Sequence, residues 1–507
     1  MTKISDNLSR LTLVIPTYNR QEFALRNMRY WSDRGPIVRV LDGSAEPISP
    51  QLLAELGDNI IYKHDSSSYY QRLLGVLPDI DTEYVALMGD DEFYIPSAVS
   101  ACIDELDQNE QLVACCGRCL AFNALGGQVI GMEEYPKLAG YALLQADPVE
   151  RVCVHMNDYV PSLIYAIART SAWLIAFKGI LHKEFGFFAS GELQFEIALS
   201  FAGHSMVLPQ LMWLRSRGET SPIRGTDPSL DESRQFSSFW HDPKTTEERE
   251  DFLQIMTTTL ETLNPTPGCD YRQAVIEACE NYNAFLRYSP RGYPQPLLDL
   301  PKGTPLLDAA AVLAQTGVTV DRVALNEIEN IVADFSKNSV LNPPKTPYPG
   351  FDKFSTEHYV NMMPHWEDEC LKKLIPSLYQ QHPNAENLYA RIGYYYYFLT
   401  QDDYDQAEQW FQREYDLGRM GWWMRLRHAE VYAAQGLLDK AKSLIHATYA
   451  QYPEAVNGYG MLALRLKDQI TPQEALALFD QDQQLGRLTT NCAYHRALFL
   501  SRAKTPI

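Results

Sequence analysis

The sequence predicts an α/β fold, with a mostly parallel sheet flanked by helices in the N-terminal part and an all-α region after it. Three observations carry this. Short apolar runs at residues 11–16, 37–41, 60–63 and 84–88 alternate with helical stretches, the order expected of a parallel, doubly wound sheet. From residue 246 onward the apolar spacing is helical. Near the C-terminus, Ala407, Ala441 and Ala475 recur at intervals of 34 residues.

Taken in order, L-T-L-V-I-P at 11–16 reads as a buried strand and 19–31 as a helix. The strand at 37–41 ends in the turn signal Asp42-Gly43-Ser44. A short strand at 60–63 and a helix at 69–77 follow. The run Y-V-A-L-M at 84–88 then delivers Asp90, Asp91 and Glu92 at its carboxyl end, the edge where open α/β sheets bind ligands. Pro96 and Ser97 suit the start of a helix reaching residue 108. Runs at 112–122 and 128–132 around Gly126-Gly127 predict a hairpin added to the sheet. Helices are expected at 148–157, 170–180 and 192–202, then at 246–263, 271–288, 305–315 and 322–335. Residues 220–244, rich in Ser, Pro, Asp and Arg, read as a mobile loop or linker that orders over a bound ligand as a lid. Residues 342–350, N-P-P-K-T-P-Y-P-G, are the clearest linker. The expected domains are 1–225, a helical intermediate region at 226–349, and 350–507.

The 507 residues carry 44 basic and 64 acidic side chains, a net charge of −20. Only −3 of this lies from Gly350 onward. Such a balance argues against a nucleic-acid binder, which needs a basic face. An acidic half that takes an anionic substrate needs a metal or a few placed arginines. No run of about 18 apolar residues predicts a transmembrane helix, and the first ten residues lack the apolar stretch of a signal peptide. Nine scattered cysteines suit reduced thiols and a cytoplasmic location. Cys115, Cys116 and Cys119 lie in a strand-like run with no second ligand cluster, and read as buried thiols rather than a zinc site.

Three adjacent acids repel one another unless a cation or hydrogen-bond donors sit among them. A hard divalent metal prefers such oxygens and often holds substrate phosphates at the same time. The bland alternative is a solvated acidic turn capping the next helix. With L-T-L-V-I-P-T-Y-N-R at the start, residues 11–217 resemble family-2 glycosyltransferases, whose GT-A fold binds nucleotide sugars. The resemblance implies that Pro16, Thr17 and Tyr18 surround the nucleotide base and that Asp42 contacts a uracil-type base. It implies further that Arg72 lies near the base and diphosphate, that Asp90 and Asp91 form the acidic motif with Asp91 as metal ligand, and that Glu192 is the catalytic carboxylate. Mn²⁺ or Mg²⁺ and a nucleotide-diphosphate sugar, UDP-linked in the first instance, are the implied cofactor and donor. The chain departs from the family pattern at Gly89 and Leu41, where acids are usual, at Gly191 before Glu192, and at Arg215-Ser216-Arg217, where a histidine is common. His64 and His204 have no second ligand at useful spacing and read as structural.

The 34-residue period resembles the tetratricopeptide repeat: Phe411, Ile445 and Phe479 follow the three alanines at equal offset, and Tyr404 and Leu438 precede the first two. Such arrays hold peptides or proteins, or serve as homodimer contacts. The combined expectation is a metal-dependent, inverting glycosyltransferase acting on a peptide or protein acceptor. The alternatives are a surface-polysaccharide glycosyltransferase, or an inactive scaffold that binds proteins through its repeats.

Overall fold

The computed structural model describes residues 2–125, 128–187, 189–217, 236–288, 298, 300–301, 303–337, 371, 375–376, 379–380, 386–398 and 403–503. The chain divides into two compact units, Met1–Lys345 and Thr346–Ile507.

The first unit is built on a ten-stranded sheet. Its strands are β1 (Leu11–Thr17), β2 (Ile37–Asp42), β3 (Ile60–His64), β4 (Tyr84–Leu87), β5 (Phe93–Tyr94), β6 (Leu112–Leu125), β7 (Gln128–Glu133), β8 (Ala142–Leu143), β9 (Ile167–Arg169) and β10 (His204–Ser216). Its helices are α1 (Thr2–Leu8), α2 (Gln21–Trp31), α3 (Pro50–Leu53), α4 (Tyr69–Val76), α5 (Pro96–Gln108), α6 (Pro148–Asn157), α7 (Thr170–Ile180), α8 (Ser190–Ala202), α9 (Phe236–His241), α10 (Thr246–Leu263), α11 (Tyr271–Tyr288), α12 (Leu306–Gln315) and α13 (Arg322–Lys337). No helix among the described residues is long and apolar enough to cross a membrane.

The strand order is β3-β2-β1-β4-β9-β6-β10-β5, with β7 beside β6 and β8 beside β10. The half β3-β2-β1-β4 is parallel, as expected. The other half corrects the mostly parallel expectation. β9 pairs antiparallel with both β4 and β6, and β5, β7 and β8 are antiparallel additions, so the sheet is mixed. Two-residue and three-residue strands such as β5 and β9 leave no periodic signature for a sequence reading to find. The long parallel pair β6–β10 is broken by register shifts, which bend the strands and re-aim side chains at this end.

Local chemistry sets the helix starts that matter for the site. Ser68 and Gln71 form a reciprocal capping box on α4. Pro96 occupies the first turn of α5, where a missing N–H costs nothing. Around the sheet, Trp31, Trp173 and Trp213 are fully buried, each worth roughly 2–3 kcal/mol of apolar transfer. Helices α10–α13 join the same core, through Phe252, Met256, Leu260, Val275, Ala278, Leu306, Leu313 and Ile328. The eight described cysteines, Cys115, Cys116 and Cys119 among them, are free thiols, and these three are buried. Within residues 220–244, Phe236–His241 is a helix that buries Phe236, Phe239 and Trp240, which corrects the loop expectation for that part. Residues 242–244 enter a short 3-10 turn, Pro243–Thr245, while residues 220–235 of the expected lid and the Gly126-Gly127 turn lie outside the described residues.

The second unit is helical: Leu388–Phe398, Tyr404–Asp416, Trp422–Ala434, Leu438–Gln451, Gly458–Arg465, Pro472–Gln484 and Thr490–Ala503. The helices holding Ala407, Ala441 and Ala475 begin at Tyr404, Leu438 and Pro472, and those alanines are completely buried. Phe411 lies on Gly393, where an added Cβ would meet its ring at 2.8 Å, and Phe479 lies on Gly460, where the gap would be 3.1 Å. Glycine here buys close helix approach.

Candidate active site

The parallel register sets Thr17 beside Asp42 and Asp42 beside His64, so β1, β2 and β3 finish at one edge of the sheet. β4, parallel to β1, delivers the acid triplet to the same edge. Thr17 Oγ1 donates to Asp90 Oδ2 at 2.7 Å and ties the two strand ends together. Pro16 sits in β1 opposite Leu41.

On the β2 side, Asp42 is completely buried. Its carboxylate accepts from Gln21 Nε2 at 2.6 Å, Tyr62 OH at 2.5 Å and Ser44 N at 2.8 Å. With this supply it organises the Gly43-Ser44 loop from below. His64 Nε2 meets Ser44 O at 2.7 Å and braces the same loop. Arg72, on α4, lies against Gly43 so closely that an added Cβ there would fall 1.9 Å from Nη1. Its Nη1 donates to Ser67 O at 2.5 Å, while its buried Nε has no hydrogen-bond partner among the described residues. Burial lowers the Arg72 pKa, against the pull of Asp42, Tyr69, Asp65 and Tyr18. A buried cation with an unmet donor is a ready partner for an anion.

Asp90 and Glu92 are buried, while Asp91 keeps 13% of its side chain exposed. Burial, with Asp91 beside it, raises the Asp90 pKa to about 6 although Arg20 and Thr17 oppose the shift. Arg20 Nη2 lies 2.6 Å from Asp91 Oδ2 and 3.3 Å from Asp90 Oδ1. Glu92 turns inward: Trp213 Nε1 donates to it at 2.9 Å and Arg215 Nε stands 3.8 Å away. Burial lifts the Glu92 pKa to about 7 against that arginine. Gly89 has a local reason, since a Cβ there would stand 3.1 Å from the Glu92 carboxyl carbon. Asn27 on α2 pins the triplet's backbone by donating to Glu92 O at 2.8 Å.

Glu192 lies in the first turn of α8, half-buried, and accepts from Tyr159 OH at 2.5 Å. Burial raises its pKa; the Tyr159 hydrogen bond and Arg215 oppose the shift. Arg215 thus acts on Glu92 and Glu192 together, and it lies over the rings of Tyr135, Tyr165 and Trp213 at 5.0, 5.8 and 5.2 Å. An added Cβ at Gly191 would reach Tyr70 OH at 3.4 Å, which brings the start of α8 against α4. One turn further on, Glu196 is of a different kind. It is completely buried and accepts from Leu163 N, Ile164 N and His155 Nε2 at 3.0, 2.9 and 2.7 Å.

Among the described residues no group of three or more His, Cys, Asp or Glu side chains is arranged to hold a metal ion. Asp91, partly exposed beside a buried carboxylate, fits a different kind of metal site. There one or two carboxylates hold the ion, and substrate phosphates and water complete its shell.

The structure therefore brings Pro16, Thr17, Asp42, Arg72, Asp90 and Asp91 to one sheet edge, with Tyr18 in the turn after β1 and close enough to act on Arg72. Arg215, 3.8 Å from Glu92, also favours the charged form of Glu192. Arg20, Gln21, Tyr62 and Tyr159 are participants that the sequence reading did not assign. Arg20 had a signal, its place two residues after Tyr18. Tyr159 had none, since it precedes Glu192 by 33 residues in an irregular stretch.

No family model matches the chain, and no curated protein matches it in sequence. Among solved structures it is similar to S. aureus TarS residues 1–349, at 12% identity and a TM-score of 0.32, covering 57% of this chain and 94% of that one. The same fragment in complex with UDP-GlcNAc gives the same values. S. aureus TarS is matched at 12% identity and a TM-score of 0.30, over 58% of this chain and 57% of that one. The site's own residues, not this distant likeness, carry the functional reading.

Proposed function

We propose that the chain is a glycosyltransferase that moves a sugar from a nucleotide-diphosphate sugar, UDP-linked in the first instance, to an acceptor with inversion at the anomeric carbon. The observation that carries this is the set of carboxylates around two arginines: Arg20 on Asp90 and Asp91, and Arg215 3.8 Å from Glu92 and favouring the charged form of Glu192. It supports a site with an anion-binding side and a base side. Tyr18 and the Asp42-organised loop suit the nucleotide base, and the unmet Arg72 Nε suits a phosphate oxygen. A divalent metal on Asp91, when bound, would neutralise charge on the diphosphate leaving group. Glu192, its pKa raised by burial, is suited to take the acceptor's proton as the acceptor attacks the face opposite the leaving group. Tyr159 holds one carboxylate oxygen and leaves the other for that proton. The 34-residue spacing of helix starts in the second unit supports a tetratricopeptide-like array, which suits a peptide or protein acceptor.

The test is thermal unfolding against a panel of nucleotide sugars with and without Mn²⁺, followed by assay of nucleotide release for any hit. A donor that raises the midpoint only with metal, and fails to do so in Asp91→Ala, is the expected result. Indifference to every donor and free nucleotide would remove this reading and favour the scaffold.

A further inference from the structure

The turn after β1 touches both sides of the site. Asn19, at a left-handed φ of 53°, donates its N–H to Ser44 Oγ at 2.8 Å. Gln21 Nε2 donates at 2.6 Å both to Asp42 Oδ2 and to Glu46 O. Between them Arg20 reaches the other way, to Asp90 and Asp91. Its guanidinium lies over the Phe23 ring at 4.9 Å, which fixes its plane. Only 10% of the Arg20 side chain is exposed, so this cation is seated within the site, against the more open carboxylate.

A guanidinium 2.6 Å from Asp91 Oδ2 and a divalent cation bound to the same oxygen repel one another at contact range. Guanidinium also binds phosphate bidentately, so a diphosphate gives it an alternative partner. We propose that Arg20 is a built-in counter-ion that competes with a divalent cation for Asp91, and that a nucleotide diphosphate relieves the competition by taking the guanidinium. Metal binding is then conditional on nucleotide. The turn supplies the linkage, because the residues on either side of Arg20 are bonded to the loop at Asp42–Ser44. This inference rests on the nucleotide-sugar reading and adds an order of binding to it.

The experiment is Mn²⁺ binding to the full chain, read by electron paramagnetic resonance, with UDP as the nucleotide probe. In the native protein saturating UDP is expected to tighten Mn²⁺ by about tenfold or more. Arg20→Gln is expected to bind Mn²⁺ alone about tenfold more tightly than the native protein, with the UDP effect reduced in proportion. Arg20→Lys keeps the charge and is expected to bind weakly, as the native protein does. Equal Mn²⁺ affinity of Arg20→Gln and native protein without nucleotide overturns the inference. If Arg20→Gln fails to fold, Arg20→Met is read in its place. Where calorimetry shows that UDP binds, a native Mn²⁺ affinity indifferent to it overturns the inference without any variant. Loss of UDP binding by calorimetry in every form would instead defeat the nucleotide reading, and the Mn²⁺-only comparison would still decide the role of Arg20.

Discussion

Both units bury carboxylates, and they treat them differently. In the second unit Glu414 accepts from Tyr389 N at 2.6 Å, Ala390 N at 3.3 Å and the Tyr379 hydroxyl. Asp482 accepts from Gly460 N at 2.7 Å and Tyr449 OH at 2.5 Å. These acids close helix N-termini, where backbone N–H groups otherwise lack partners. In the first unit Asp90 has one hydroxyl donor and shares one guanidinium with Asp91, and like charges adjoin it on the chain. The first arrangement is saturated and serves the fold. The second sets adjoining carboxylates at a sheet edge with fewer donors than acceptor atoms. Glu196 and Glu192 repeat the contrast within one helix: Glu196 is enclosed by two backbone N–H groups and a histidine, while half-buried Glu192 accepts from one tyrosine.

The sharpest test of this contrast is a pair of variants one turn apart. Glu192→Gln should lower sugar transfer by about 10²–10⁴-fold, the usual contribution of a general base, with little change in the unfolding midpoint. Glu196→Gln should do the reverse and cost roughly 3–5 kcal/mol by breaking a buried charged network. Equal loss of stability in the two would erase the distinction. Unfolding in urea and single-turnover assays read the two quantities separately.

A smaller effect is expected from acid in the second unit. His428 is buried against Phe411 and Tyr432, with ring centroids 5.2 and 4.3 Å away, and neither ring nitrogen has a hydrogen-bond partner among the described residues. Burial, and secondarily Lys440, holds its pKa down at about 3. The unfolded chain takes up this proton near pH 6.5 and the folded chain does not. Stability is therefore full above about pH 6.5 and falls as pH drops toward 3, by a few kcal/mol at pH 4. Hydrogen exchange across Trp422–Ala434 should show the loss, and His428→Phe should flatten it. Protection in the native protein that is unchanged between pH 7 and 4 would contradict this. Smallest is Tyr159→Phe, expected to cost about tenfold in transfer. Since Tyr159 opposes the rise of the Glu192 pKa, its loss should also move the acidic limb of the rate profile to higher pH. A lower rate with an unmoved limb would assign Tyr159 to packing alone.

The sequence carried the fold where periodic apolar runs are long. The strands at Leu11, Ile37, Ile60 and Tyr84 and the helices from Tyr69 to Arg322, Phe236–His241 apart, stand within a few residues of expectation. It failed at β5, β8 and β9, because two or three residues have no period, and at the long β10, whose register shifts against β6 interrupt its alternation. The candidate site divides the same way. Asp90 and Asp91 were visible because they are contiguous and end a buried strand. Their engagement by Arg20 was not, because it depends on how a turn 70 residues earlier folds back. The Tyr159–Glu192 bond was hidden for the same reason.

Gly43 has no room for a side chain because the Arg72 guanidinium fills the space its Cβ would take. Two positions 29 apart in sequence are in that sense one inherited unit. A side chain at 43 would have to push the tip of Arg72 aside, whereas a shorter residue at 72 would leave space there for alanine or serine. Drift through this loop therefore has a favoured order, set by a single packed contact.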